Sequence, residues 1–94
     1  MPADLEEKVD RYERLLAEAV SEAEPLPRGD SPLGTAAAEF FEMATSYLAD
    51  GRHFREQGDP VNALAAFSYG HAWLDAGARI GLFSVPESGE LFTV

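Results

Sequence analysis

A chain of 94 residues with 17 acidic and 7 basic side chains carries a formal net charge of −10, and 46% of its residues are hydrophobic. The length fits one domain, 1–94, and the apolar fraction is large enough for a folded core. An acidic surface of this kind repels phosphate backbones and anionic lipids, so we expect neither nucleic-acid nor membrane binding. Cysteine is absent, which excludes disulfides and thiolate metal sites.

The charge pattern also indicates a source, because Lys8 is the sole lysine among the basic residues. An acidic, lysine-poor surface is typical of proteins from salt-accumulating halophilic archaea, where high ionic strength screens self-repulsion. An ordinary acidic small protein is the alternative.

No apolar segment has the length of a membrane span, and the charged start lacks the apolar core of a signal peptide. We therefore expect a cytoplasmic protein.

The first predicted helix runs from about residue 4 to residue 24. Asp4 is a suitable N-cap, and the glutamates that follow it suit the positive end of the helix dipole. Apolar residues recur at steps of three and four, which indicates one apolar stripe. The proline-rich segment 25–31 is predicted to be a loop.

The second predicted helix runs from about residue 32 to 57, and the third from about 60 to 80. Ser31 is a suitable N-cap for the second helix. Gly58 suits the left-handed position after a helix, and Asp59 suits the N-cap of the next one. This tight turn predicts an antiparallel hairpin. The apolar residues of the third helix occupy most of its circumference, which is typical of a central helix.

The sequence therefore predicts an all-α fold. The expected architecture is a three-helix bundle with a long antiparallel hairpin of the second and third helices. A short non-helical C-terminal tail, residues 81–94, follows the bundle. Its apolar residues could fold back on the helices or pair with another chain.

Glycines inside the third helix indicate close helix packing. Each costs about 1 kcal/mol relative to alanine, and contact with the large rings of the second helix offsets that cost. In an antiparallel hairpin Gly70 is level with Tyr47, and Gly77 is level with Phe40. Trp73 is predicted to anchor the core beside them.

Four polar residues form a candidate functional or structural cluster: Tyr47, His71, Asp75 and Arg79. The four-residue spacing of His71 and Asp75 suits a metal pair or an imidazole oriented by a carboxylate. Two ligands make an incomplete site, however. Asp75 lies in a helix predicted to be central, so it needs a partner, and Arg79 is one turn away. We favour this structural clasp over a site.

No catalytic, cofactor-binding or metal site is predicted. The chain has no phosphate-binding P-loop, dinucleotide fingerprint, HExxH motif or nucleophile elbow. We therefore expect a non-enzymatic helical module that binds another protein or associates with itself. The alternative is a ligand-binding regulatory or enzymatic role at a pocket around Tyr47, His71, Trp73 and Asp75.

Part of the hairpin resembles a single tetratricopeptide hairpin, because small and aromatic residues occur at matching spacings. The segment is ADGRHFREQGDPVNALAAFSYG. Only one copy is present, so a solenoid is not expected from this chain alone. The residues that carry the resemblance are Gly51, Phe54, Gly58, Ala63, Phe67 and Gly70.

A longer segment, YLADGRHFREQGDPVNALAAFSYGHAWLDAGARIGLF, resembles the archaeal domain-of-unknown-function family numbered 357. The resemblance implies an archaeal origin and a small helical fold, but no reaction. One departure is visible, because His71 and Ala72 stand between Gly70 and Trp73 and displace the glycine that precedes the tryptophan in the family pattern. The pattern is carried by Tyr47, Asp50, Phe54, Gly58, Asp59, Ala63, Tyr69, Trp73, Leu74, Asp75, Ala76, Gly77, Arg79, Gly81 and Leu82.

Overall fold

The computed structural model of the chain describes residues 3–26 and 30–85. It confirms the predicted all-α three-helix bundle. The predicted tail beyond residue 85 lies outside the described residues. None of the described helices combines the length and the apolar character needed to cross a membrane. In chain order the elements are α1 (Leu5–Glu22), β1 (Glu24–Pro25), α2 (Pro32–Glu56), α3 (Pro60–Arg79) and β2 (Phe83–Ser84).

The helix ends follow from local side-chain chemistry. The N-cap side chains of Asp4, Ser31 and Asp59 each accept a hydrogen bond from a backbone N–H of the helical turn that follows. These bonds satisfy donors that the start of a helix leaves unpaired. Gly58 and Gly81 follow α2 and α3 with φ angles of 75° and 83°. Both are left-handed positions that favour glycine.

A short strand pair, absent from the prediction, closes one end of the bundle. α1 ends at Glu22, two residues before its predicted end, and the chain then enters β1. The two strands are antiparallel, with Pro25 opposite Phe83, and the N–H of Leu26 donates to the carbonyl of Leu82 at 3.0 Å. Strands of two residues show no usable periodicity. The sequence of the proline-rich segment therefore predicts a loop and no strand.

The third helix is central, as its apolar pattern predicts. α3 packs extensively against both α1 and α2, whereas α1 and α2 share a smaller contact. α2 contributes mostly small residues to the interior, so α3 can approach it closely. The largest fully buried side chains are those of Val9, Leu16, Phe67, Leu74 and Leu82.

Two glycines set the separation of the hairpin helices. A Cβ atom at Gly51 would overlap the buried ring of Phe67. A Cβ atom at Gly70 would lie 2.8 Å from Cβ of Tyr47 and 2.9 Å from Cδ2 of Leu16. Gly70 is therefore the point where all three helices meet, level with Tyr47 as the antiparallel pairing requires.

Gly77 has a closer neighbour than the predicted one. A Cβ atom there would overlap the ring of Phe83 from β2, while Cδ2 of Phe40 would lie 3.4 Å away. Phe83 is 3% exposed, and its ring centroid is 6.5 Å from that of Phe41. The strand pair thus holds an aromatic ring over the end of the hairpin.

Candidate functional site

The hairpin of α2 and α3 has a covered side and an open side. α1 packs on the covered side. On the other side, three adjacent hollows with shared lining residues lie along both helices, and together we call them the aromatic groove. No element within residues 3–26 and 30–85 covers it. Its polar lining residues are Glu39, Glu42 and Asn62. Its apolar lining comprises Phe40, Met43, Tyr47 and Phe54 of α2 and Ala65, Ala66, Tyr69, Ala72, Trp73 and Ala76 of α3.

Four aromatic rings form a row along the groove. The centroids of Tyr47 and Tyr69 are 4.8 Å apart, those of Tyr69 and Trp73 6.5 Å, and those of Trp73 and Phe40 5.0 Å. All three pairs meet edge to face, an arrangement that aromatic rings prefer. Tyr69 is 55% exposed, and the other three rings are half-buried. The row is therefore ordered but still accessible.

Alanines of α3 create hollows between these rings. Ala72 and Ala76 lie in one hollow, whose walls are the rings of Phe40, Tyr69 and Trp73. The small side chains leave room for apolar groups of another molecule. They also allow a second backbone to approach α3 closely, as glycines do on the covered side.

The α2 edge of the groove is acidic. Glu39 and Glu42 line the hollow beside Trp73. Asp50 follows Tyr47 by one helical turn and is exposed. The described residues that line the groove include no lysine, arginine or histidine. The apolar floor is thus bordered by negative charge along one helix.

The predicted polar cluster is divided between two sides of α3. Tyr47 lies in the groove, against Tyr69. His71 lies two positions after Tyr69, and Asp75 lies two positions after Trp73. Tyr69 and Trp73 both line the groove. Two positions correspond to about 160° around a helix axis, measured the shorter way. Tyr47 and Trp73 therefore do not share one hollow with His71 and Asp75.

His71 and Asp75 are half-buried, and Arg79 is exposed. Each of the three makes an interaction with another group of the protein. Asp75 is only partly buried, because no charged side chain among the described residues is fully buried, and its clasp with Arg79 stays a prediction. Likewise, that part of the chain contains no group of three or more side chains that could hold a metal ion. Trp73 packs against the core from its edge.

A charged cluster on the covered side joins α1 to the end of α2. Arg55 donates from Nη1 to Oε1 of Glu13 at 2.7 Å and from Nη2 to Oδ1 of Asp10 at 2.6 Å. Arg52 donates from Nε to Oε2 of Glu13 at 2.9 Å. The sequence pattern of α1 did not predict this cluster. Its partners are about 40 residues apart, and helix periodicity covers only neighbouring turns.

The arginines change the acidity of Glu13. Partial burial raises the pKa of its carboxyl, but hydrogen bonds from Arg52 and Arg55 and their positive charges outweigh this, so the pKa lies below its usual value of 4.5. Hydrogen bonds to Glu13 and Asp10 in turn raise the pKa of Arg55. The cluster therefore stays ionised and holds the two helices together at neutral pH.

Comparison with known proteins gives one family. The family described as "Protein of unknown function (DUF357)" matches residues 11–83, a range that contains every residue lining the aromatic groove. No curated protein and no solved structure matches the chain. The comparisons therefore bring no named activity, and a functional proposal has to come from the site itself.

Proposed function

The chain belongs to the DUF357 family of proteins of unknown function, and we propose that it is a non-enzymatic protein-interaction module whose binding surface is the aromatic groove. The observation that carries the proposal is the accessible row of four rings on the side of the hairpin away from α1. Large contiguous apolar patches on a protein surface often mark interaction sites. Aromatic residues are also enriched in interface centres.

The dimensions of the groove suit a helix. Phe40 and Phe54 are 14 residues apart in α2, which corresponds to about 21 Å. A partner helix of similar length would lie along the hairpin with its apolar side chains in the hollows. α1 already packs against the other side of the same hairpin through an apolar stripe. A helix in the groove would thus repeat a contact that this fold makes once.

The groove is also preorganised for binding. The ring of Trp73 meets Phe40 and Tyr69 edge to face, so the side chains lose little further freedom when a partner covers them. Tryptophan and tyrosine are the residues that most often dominate binding energy at interfaces. We therefore expect Trp73 and Tyr69 to be the main anchors.

A ligand-binding or enzymatic role at a pocket around Tyr47, His71, Trp73 and Asp75 has less support. Such a role needs the imidazole and the carboxylate to face the same space as the aromatic rings. Helix geometry turns His71 about 160° away from the ring of Tyr69, and Asp75 about 160° away from that of Trp73. The groove itself offers rings, alanines and one acidic edge, which suit contact with a protein surface.

Arginine substitution in the groove tests the proposal. Ala72→Arg with Ala76→Arg places two long charged side chains in the hollow beside Trp73. The matched control is Ala38→Arg with Ala49→Arg, since both alanines are exposed and lie about 160–180° around α2 from Tyr47. Each protein is immobilised and exposed to an extract of the source organism, and the retained proteins are quantified by mass spectrometry.

We expect the wild type and the control to retain a common set of proteins that the groove variant loses about tenfold, as desolvated hot-spot contacts imply. Circular dichroism should show the same helix content in all three. Retention of that set by the groove variant, or the absence of any protein that depends on the groove, would contradict the proposed function.

A further inference from the structure

We infer that the segment the groove binds is a cationic amphipathic helix, with apolar side chains on one face and lysine or arginine beside that face. The inference rests on the proposed function and specifies the partner's chemistry. Its basis is the asymmetry of the groove, which is acidic along α2 and uncharged along the described lining residues of α3.

The acidic edge follows the length of the groove. Glu39, Glu42 and Asp50 are all exposed, and the first and last are about 16 Å apart along the axis of α2. A docked helix would bring basic side chains at matching intervals within reach of these carboxylates. Complementary charge at the rim of an apolar contact fixes orientation and rejects the wrong partners. The groove therefore also predicts that the partner's basic edge faces α2.

A second copy of this chain fits the groove less well. It carries the same net charge of −10 and the same acidic edge, so two grooves in contact would bring like charges together. Like-charge contacts at an interface cost several kcal/mol. A cationic helix meets the opposite situation, because the whole surface potential attracts it.

High salt reduces this preference without abolishing it. At 1 M salt the screening length is about 3 Å, so long-range attraction is lost. Ion pairs that form in contact at the edge of a docked helix are partly shielded from solvent, and such pairs are screened less. Discrimination between cationic and neutral partners should therefore shrink between 0.15 M and 2 M potassium chloride but remain measurable.

Trp73 provides a direct reporter, because it is the only tryptophan and lies in the groove. The probes are three synthetic helical peptides of about 14 residues, long enough to span the groove. They share one leucine face and contain no tryptophan or tyrosine. Lysine, glutamine or glutamate occupies the flanking positions. Titration at 0.15 M potassium chloride, followed by tryptophan fluorescence, gives the three dissociation constants.

We expect the lysine peptide to bind about tenfold more tightly than the glutamine peptide, and the glutamate peptide more weakly still. Glu39→Gln with Glu42→Gln and Asp50→Asn should reduce the lysine-to-glutamine ratio to about one, since only rim charge is removed. The control Glu7→Gln with Glu18→Gln and Glu22→Gln makes the same change in net charge on α1 and should keep the ratio. Ala72→Arg with Ala76→Arg should abolish binding of all three peptides.

Several results would overturn the inference. These are equal affinity for the three peptides, a ratio unaffected by neutralising the acidic edge, or a dimer in sedimentation that the two groove arginines dissociate. If no peptide binds while the groove arginines still remove proteins from the extract, the cationic helix is wrong and the proposed function stands. If the extract experiment fails as well, both are wrong.

Discussion

The two sides of the α2–α3 hairpin bury apolar residues in different ways. On the covered side Gly70 lies against Tyr47 and Leu16 with no room for a methyl group. On the open side Ala72 and Ala76 leave hollows between half-exposed rings. Both sides combine small residues with large ones. Only on the covered side do described residues fill the hollows. The difference indicates that folding and binding use separate faces of the same helices.

Charge shows the same division. On the covered side Glu13 accepts hydrogen bonds from Arg52 and Arg55, so its charge is neutralised within the fold. On the open side Glu39 and Glu42 have no ion pair with any described residue. Arginines of the same chain neutralise the acidic residues on the covered side. The acidic edge of the groove retains its negative charge for a partner.

Among variants that still fold, the largest expected effect comes from filling the contact point on the covered side. Gly70→Leu should lower the free energy of unfolding by at least about 2 kcal/mol, because overpacking outweighs the gain in helix propensity. The midpoint of thermal unfolding should fall by about 10 °C for a domain of this size.

The matched control is Ala49→Leu, at an exposed position of α2, which should change stability by less than about 0.5 kcal/mol. Calorimetry of both variants in the same buffer makes the comparison. An unchanged midpoint for Gly70→Leu would show that the helices are not in close contact there.

Breaking the charged cluster between α1 and α2 should have a smaller effect on the free energy of unfolding. Arg55→Gln should cost about 1 kcal/mol, since it removes two hydrogen bonds between α1 and α2 and leaves Glu13 with Arg52 alone. The control is Arg14→Gln, whose pair with Glu18 is 3.7 Å long and about half-exposed. It should cost less than about 0.5 kcal/mol. Urea unfolding at neutral pH measures both.

The acidity of Glu13 gives this effect a pH dependence. Its pKa is lower in the folded protein than the usual 4.5, so the folded state binds this proton less readily than the unfolded one. Glu13 therefore contributes its stability above pH 4.5, and the contribution is lost as the pH falls through the folded pKa. Glu13→Gln should show a shallower loss of stability below pH 5 than the wild type. Parallel acid titrations would contradict the cluster.

The helices could be predicted because their determinants are local. Asp4, Ser31, Gly58, Asp59 and Gly81 mark ends through capping hydrogen bonds or left-handed backbone, which depend on adjacent residues alone. The position of Gly70 opposite Tyr47 could also be predicted, since a tight turn sets the register of an antiparallel hairpin. Membership of the DUF357 family followed from residues of the same hairpin.

The groove could not be predicted, because it depends on which face α1 leaves open. An apolar stripe shows that a face is buried but does not name its cover, so Trp73 was expected to anchor the core. The same reason applies to Phe83 on Gly77 and to the arginines of the charged cluster, whose partners come from distant parts of the chain. The predicted grouping of His71 and Asp75 with Tyr47 took no account of direction around α3.

The smallest expected effect is on the stability of the groove variant. Ala72→Arg with Ala76→Arg should change the free energy of unfolding by less than about 0.5 kcal/mol, because both alanines are exposed and arginine is nearly as good a helix former as alanine. Ala63→Arg, on the covered side of the same helix, should unfold the protein because Ala63 is fully buried. Urea unfolding of the three proteins gives the contrast. A groove variant that unfolds like Ala63→Arg would mean that the open face is part of the core, and that its rings are needed for folding and not for a partner.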